Sequence, residues 1–359
     1  PMWPDYIHDQ ITNRRLRVGY FSSDFCNHPV SRFLLSVLLE HDTHAVELFG
    51  LSTGPHHDGM TEIIQKLFDH WFILKQYSDL ELARLITDLR LDVIVELGGY
   101  TGYSRIGALV NRPAPLQLSY LGYFAPTYLS CIDGWIGDQE LFNNLSKIDR
   151  NRKLLHIKGG YMAFKPLRLP EINRHEGIKF RFGCFNNSRK LVKETIELFC
   201  RIMKHLPTAQ LVLKSITFIE KEEQYRIKEL FLQEGLNESQ LILLDWVEGT
   251  EAHMSLYEWV DVALDPIPYG GATTTAEALW MGVPVVALAG TGMVGRLSTS
   301  LLTSAGCTEW IANNKSQYEL IANSLASEGV RDINQRRNLR EKIKNSNLAN
   351  GRRVAKQLE

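Results

Sequence analysis

A chain of 359 residues exceeds what one hydrophobic core usually serves, so two domains are expected. Its 40 Lys and Arg balance 41 Asp and Glu to a net charge of -1, which argues against nucleic acid as a partner. No apolar run approaches the ~18 residues of a membrane span, so no membrane partner is expected.

Cys26, Cys131, Cys184, Cys200 and Cys307 are scattered, odd in number and without zinc-site spacing. Reduced thiols in the cytoplasm and no structural metal follow. The first residue is a proline, so a trimmed fragment is expected, with residues 1–14 as a linker or the end of an upstream segment.

Leu16 to Phe21 predicts a strand, SSDFCNHPVS a loop, and Arg32 to Glu40 an amphipathic helix. Val46 to Leu51 and Leu91 to Leu97 predict further strands, with a helix over Asp79 to Asp88 between them. Strands alternating with helices, each strand apolar on both faces, predict a parallel sheet covered on both sides. A polar stretch over Asn143 to Arg152 and an apolar run to Ile157 close a domain over 15–158, and the Pro- and Gly-containing segment 159–178 reads as a connector.

A second alternation starts at Phe180. FRFGCF, Leu211 to Lys214 and Leu241 to Leu244 predict strands, with helices over Lys193 to His205, Glu220 to Glu234 and Thr250 to Trp259. After helices over Ser298 to Ser304 and Tyr318 to Ser327, this domain (179–330) gives way to a solvated terminal helix over 331–359. The fold class is α/β, two doubly wound Rossmann-like halves, with ligands expected in the cleft between them.

The most informative stretch is Asp261 to Ala289. Val262 to Leu264 reads as a buried strand, followed by Pro266, Pro268, Gly270, Gly271 and three threonines, Thr273, Thr274 and Thr275. A helix over Ala276 to Met281 and a strand over Val285 to Ala289 come next. A Gly-rich loop at a helix N-terminus gathers backbone N–H groups and the positive end of the helix dipole, as a diphosphate needs. Glu277 is placed to accept hydrogen bonds from ribose hydroxyls. A plain capped helix fits equally, with a threonine as N-cap and Glu277 in a capping box.

The other motifs also carry two readings each. Asp24 and His28, in the loop after the first strand, either face a sugar or acceptor and do acid/base work, or belong to an ordinary capping loop. Gly98-Gly99-Tyr100-Thr101-Gly102 either lets backbone approach a ligand or is a plain turn. Lys190, ending FNNSRK, is either a surface lysine or the cation that offsets charge on a departing diphosphate. Lys214 is a second candidate for the phosphates. The chain has no Asp-x-Asp pair, so no metal is expected in that role. Gly290 to Gly295 spells GxGxxG but lies late in its half, without a clear second strand leading to an acid, and reads as a decoy.

Four of these segments together resemble the O-GlcNAc transferase and SPINDLY family of inverting GT-B glycosyltransferases. They are RVGYFSSDFCNH, ELGGYTGYSRIGALVNRPAPLQLSYLGY, FNN followed by two residues and then Lys190, and TTTAEALWMGVPVVALAG, the last closest to SPINDLY. The resemblance runs from about Leu16 to Leu325. It implies a GT-B fold and transfer of a sugar from a nucleotide donor to Ser/Thr hydroxyls of proteins, without metal or cofactor. It matches His28 to the family's active-site histidine and Lys190 to its lysine. It implies nucleotide-sugar contacts by Asn187, Lys214, His253, Gly271, Thr273, Thr274, Thr275 and Glu277. Asp24, Gly99, Tyr100 and Thr101 fall on the acceptor side.

The chain departs from the family in lacking tetratricopeptide repeats and in having a short connector, with no room for the inserted domain of the animal enzymes. Ala272 stands where those enzymes have a histidine. UDP-GlcNAc is favoured as donor, with GDP-fucose the alternative. Two rivals share the architecture or the ligands. A nucleotide-sugar 2-epimerase would need carboxylates around the sugar, where the loops offer chiefly Asp24. An inactive binding module would not need both His28 and Lys190.

Overall fold

The structure, a computed structural model, describes residues 14–146, 153–173 and 179–359. Most of the expected N-terminal linker, part of the polar stretch and the end of the connector lie outside them. The chain divides into two units, Pro1–Lys165 with Ala349–Glu359, and Pro166–Leu348. The change of unit falls inside the expected connector.

The first unit is built on seven parallel strands, β1 (Leu16–Ser22), β2 (Val46–Ser52), β3 (His70–Ile73), β4 (Val93–Glu96), β5 (Leu116–Tyr120), β6 (Gly134–Gly137) and β7 (Leu154–His156). Their order is β3-β2-β1-β4-β5-β6-β7. In register, Tyr20 of β1 lies opposite Gly50 on one side and Val95 on the other. Phe21, Leu51 and Ile94 of the central strands are buried with Leu82 and Ile86 of the helix Asp79–Asp88 in one apolar cluster. Burial on both faces is why these strands read as apolar runs.

Helix α1 (Pro29–Leu38) begins three residues before the expected Arg32. Proline suits the first helical turn, and the His28 side chain caps it. Helices α2 (Gly59–Gln65) and α3 (Asp79–Asp88) follow, and α3 opens on a capping box between Ser78 and Glu81.

The second unit has six parallel strands, β8 (Arg181–Cys184), β9 (Gln210–Lys214), β10 (Leu241–Leu244), β11 (Val262–Leu264), β12 (Val285–Leu288) and β13 (Ile311–Ala312), in the order β10-β9-β8-β11-β12-β13. Its helices are α4 (Lys193–Lys204), α5 (Lys221–Gln233), α6 (Thr250–Ser255), α7 (Thr273–Trp280), α8 (Leu297–Ser304), α9 (Lys315–Ser327) and α10 (Ile333–Lys344). The expected helix over Thr250 to Trp259 tightens to a 3₁₀ turn from Leu256.

Two expectations are corrected. Helix α7 starts at Thr273, not Ala276, so the three threonines form its first turn. Its N-cap is Ala272, which has no side-chain acceptor, and this rules out the capping box. The last 29 residues are not one solvated helix either. Arg336, Leu339 and Ile343 of α10 are buried in the second unit. Helix α11 (Gly351–Leu358) returns to the first unit, where a Cβ on Gly351 would lie 1.8 Å from the Ser36 carbonyl oxygen.

In both sheets the strand order reverses beside the first strand, between β1 and β4 and between β8 and β11. Loops leaving the carboxyl ends of such neighbouring strands diverge and open a crevice, where open α/β sheets bind ligands.

Candidate active site

In the second unit, β8 runs into Asn186–Lys190 and β11 into Asp265–Gly271. These two loops meet. The Lys190 ammonium donates to the Gly270 carbonyl oxygen at 2.7 Å and to Asn186 Oδ1 at 3.2 Å, and lies 3.9 Å from the centre of the Tyr269 ring. Burial pushes its pKa down, and the Asp265 carboxylate opposes that shift. Two neutral oxygens and a ring thus hold a largely buried cation that keeps capacity for an anion.

Asp265 organises the loop. Its Oδ1 accepts the Gly271 N–H at 2.7 Å and its Oδ2 accepts the Ser298 hydroxyl of α8. Burial pushes its pKa up to about 6, while the Ser298 hydroxyl and the Lys190 charge hold it down. The Gly271 N–H is therefore engaged internally. Among the described residues, the Oγ1 atoms of Thr273, Thr274 and Thr275 are buried and make no hydrogen bond. Three orphaned hydroxyls in the first turn of an eight-residue helix fit a phosphate.

Glu277, four residues into α7, is buried, and its Oε2 lies 3.1 Å from His253 Nε2. Lys214, ending β9, is buried too; burial lowers its pKa and Glu277 opposes the shift. Rings of Phe185 and Tyr257 lie 4.5 Å apart next to His253. Lys190, Lys214, His253, Gly271, Glu277 and the three threonines are thus brought together around β8 and β11.

Asn187 is not part of that seat. Its exposed side chain caps the following 3₁₀ turn, accepting the Arg189 N–H at 3.0 Å, and the asparagine against Lys190 is Asn186. At the GxGxxG run, the Gly290 N–H closes on the Gly295 carbonyl oxygen at 3.0 Å.

In the first unit the loops after β1 and β4 meet at the equivalent place. His28 Nδ1 accepts the Val30 N–H at 3.3 Å and lies 3.7 Å from Asp24 Oδ2. Burial lowers the His28 pKa, Asp24 raises it and Arg32 lowers it. The Ser23 hydroxyl donates to the Gly102 carbonyl oxygen at 3.0 Å and joins the two loops. Gly99 has φ +52°, and a Cβ there would lie 2.2 Å from the Tyr123 ring. Thr101 donates to the Gly98 carbonyl oxygen at 2.7 Å and Tyr100 to that of Thr127 at 2.6 Å.

Glu96, ending β4, carries this loop. Its Oε1 accepts the N–H groups of Gly98 and Gly99, each at 2.6 Å, and its Oε2 accepts the Ser119 hydroxyl at 3.3 Å. Burial pushes its pKa up to about 7. Sequence reasoning passes over Glu96, Asp265, Asn186 and Ser298. For the two acids the one signal in the sequence is their place at the carboxyl end of a predicted strand.

A model of glycosyl transferase family 41 matches residues 3–158 and 177–358. The probable UDP-N-acetylglucosamine–peptide N-acetylglucosaminyltransferase SPINDLY of Solanum lycopersicum is 28% identical over 368 residues, covering 100% of this chain and 39% of that protein. The corresponding SEC protein of Arabidopsis thaliana is 30% identical over 334 residues, 87% of this chain and 33% of that protein. The chain thus spans about two fifths or less of the curated relatives it matches. Among solved structures, a lysine-to-methionine variant of the Thermobaculum terrenum O-GlcNAc transferase matches with a TM-score of 0.88 and 32% identity, over 96% of this chain and 66% of that one. Two Rossmann-like units in one chain, each on a parallel sheet, are the GT-B fold class.

Proposed function

Because the chain belongs to glycosyl transferase family 41, we propose that it is an inverting, metal-independent transferase moving GlcNAc from UDP-GlcNAc to Ser or Thr hydroxyls of proteins. The observation that carries this reading is the seat in the second unit, where Lys190 and three unpartnered threonine hydroxyls surround the first turn of α7. In this reading they take the diphosphate, with Lys214 beside them. Glu277, steadied by His253 and standing just past that turn, takes the ribose.

As the acceptor oxygen bonds to the anomeric carbon, the bond to the diphosphate breaks and its electron pair leaves with the nucleotide. Lys190 offsets that growing charge, and a fixed cation there stabilises the transition state more than the ground state.

On the acceptor side, His28 presents Nε2 while Nδ1 is engaged by Val30. With Nδ1 accepting the Val30 N–H, the neutral ring carries its proton on Nε2; to take the acceptor's proton at Nε2 it must give up that bond and turn a protonated Nδ1 to the Asp24 carboxylate, 3.7 Å away. Among the described residues no helix is long and apolar enough to cross a membrane. A cytoplasmic location is part of the reading, and the five free cysteines fit a reducing compartment.

Calorimetric titration with UDP and with GDP, followed by transfer from labelled donor to Ser/Thr peptides, tests the proposal. Tighter UDP binding with β-linked GlcNAc on peptide is expected. Preference for GDP would make the chain a protein O-fucosyltransferase. An epimer formed from donor alone, or binding without transfer, would point to the epimerase or the inactive module.

A further inference from the structure

Four tyrosines rim the crevice of the first unit. Tyr100 and Tyr103 lie on the loop after β4, and Tyr123 and Tyr128 on the loop after β5, the next strand of the sheet. Tyr100, Tyr103 and Tyr128 are 54%, 64% and 58% exposed, far more than a ring of that size needs to be. Tyr103 and Tyr128 also have left-handed backbones, φ +59° and +55°. Bulky residues rarely adopt that conformation, and where it persists it is held by its surroundings and clusters at functional sites.

The Tyr103 carbonyl oxygen accepts the Thr53 hydroxyl at 3.5 Å, and the flanking loops are tied down as well. Glu96 fixes the glycine pair before Tyr100, and the Tyr100 hydroxyl ties its own loop to the next through Thr127. Tyr100 and Tyr123 meet edge to face at 5.8 Å, and Tyr103 meets His56, on the loop after β2, at 6.1 Å. The rim is continuous with the loop bearing Asp24 and His28 through the Ser23–Gly102 bond. It carries no formal charge, and the nearby Arg105 is paired with Asp79 at 2.7 Å.

We propose that this tyrosine rim grips the acceptor polypeptide on either side of the reacting hydroxyl and selects extended segments with uncharged flanks. Tyrosine offers large rigid contact area and a hydroxyl at low entropic cost, which suits adaptable recognition of a chain with few fixed features. Uncharged rings leave charged flanks without partners and so disfavour them. The proposal rests on reading the first unit as the acceptor side of a transferase.

The test uses the variants Tyr103→Gly with Tyr128→Gly, and Tyr103→Phe. Glycine accepts the left-handed backbone without penalty, so the double variant should melt no lower than the parent. Its KM for a neutral Ser/Thr decapeptide should rise about tenfold or more, while UDP affinity stays within about twofold. The same peptide carrying lysine or aspartate flanks should discriminate less between variant and parent. Tyr103→Phe should bind peptide as the parent does. Fluorescence polarisation of the labelled peptide reads binding even where no sugar moves. Peptide binding lost in the double variant, with no transfer by any form, would sustain the rim and sink the transferase reading. An unchanged KM for the peptide would overturn the rim. So would a fall in melting temperature that parallels the binding loss, or loss confined to oligosaccharide acceptors.

Discussion

The two units place the same device at the same point of their sheets. Glu96 ends β4 and Asp265 follows β11, each beside the strand where the order reverses. Each is buried, and each accepts glycine N–H and a serine hydroxyl, Ser119 in one unit and Ser298 in the other. They differ in the charge they face. Burial raises both, from ordinary values of 4.5 and 3.8 to about 7 for Glu96 and about 6 for Asp265; Asp24 adds to the rise of Glu96, whereas the Ser298 hydroxyl and the Lys190 charge oppose that of Asp265. One loop is thereby built against a carboxylate and a histidine, and the other around a cation. In the proposed reading the same scaffold element supports proton chemistry in one unit and anion binding in the other.

The largest expected break in this comparison is His28→Ala. Turnover should fall about 10²–10⁴-fold, the usual range for a general acid or base. UDP affinity, which the proposal assigns to the other unit, should hold, and a large loss in the folded variant would undo the division of labour. Next comes Glu277→Ala, which should weaken UDP binding by about 1.5–3 kcal/mol, the worth of a hydrogen bond to a charged group. Calorimetry at constant pH checks it, and unchanged affinity would leave Glu277 with only its partnership with His253.

The smallest effect compares the two acids directly. Glu96 has its ordinary pKa of 4.5 raised to about 7 in the fold, so its contribution to stability is present below 4.5 and lost as pH rises through 7. Asp265, raised from 3.8 to about 6, loses its contribution over a lower window. Glu96→Gln and Asp265→Asn keep the acceptor oxygen and remove the titration. Melting temperature of parent minus variant should therefore decline over about pH 4.5–7 for Glu96→Gln and about pH 3.8–6 for Asp265→Asn. A difference that rises with pH, or that stays flat across these windows, would contradict the upward shift of either acid.

Much of this architecture is legible in the sequence. β1, β2, β4, β8, β9, β11 and β12 are mostly buried runs, β10 is a half-buried apolar one, and both candidate loops leave predicted strands. β3 and β7 are half-exposed, β6 is bounded by glycines and β13 has two residues, so none of them stands out as an apolar run. The start of α7 is misread because threonine resembles a cap in sequence, and only the backbone shows that all three are helical. Asn186 and Asn187 are equivalent by type and neighbourhood; the direction of β8 buries one and exposes the other. Glu96 and Asp265 escape because a lone carboxylate reads as surface, and their burial is a product of the fold.

The central claim is that Lys190 meets the diphosphate and acts as its charge grows. Lys190→Met keeps the aliphatic stem and removes the ammonium, so single-turnover transfer from UDP-GlcNAc, measured with UDP affinity on the same sample, is the most direct test. Turnover should drop about 10²–10³-fold, more than donor affinity, and the parent should be indifferent to chelator. Near-parental transfer by Lys190→Met, or loss of parental activity on chelation, would contradict the account.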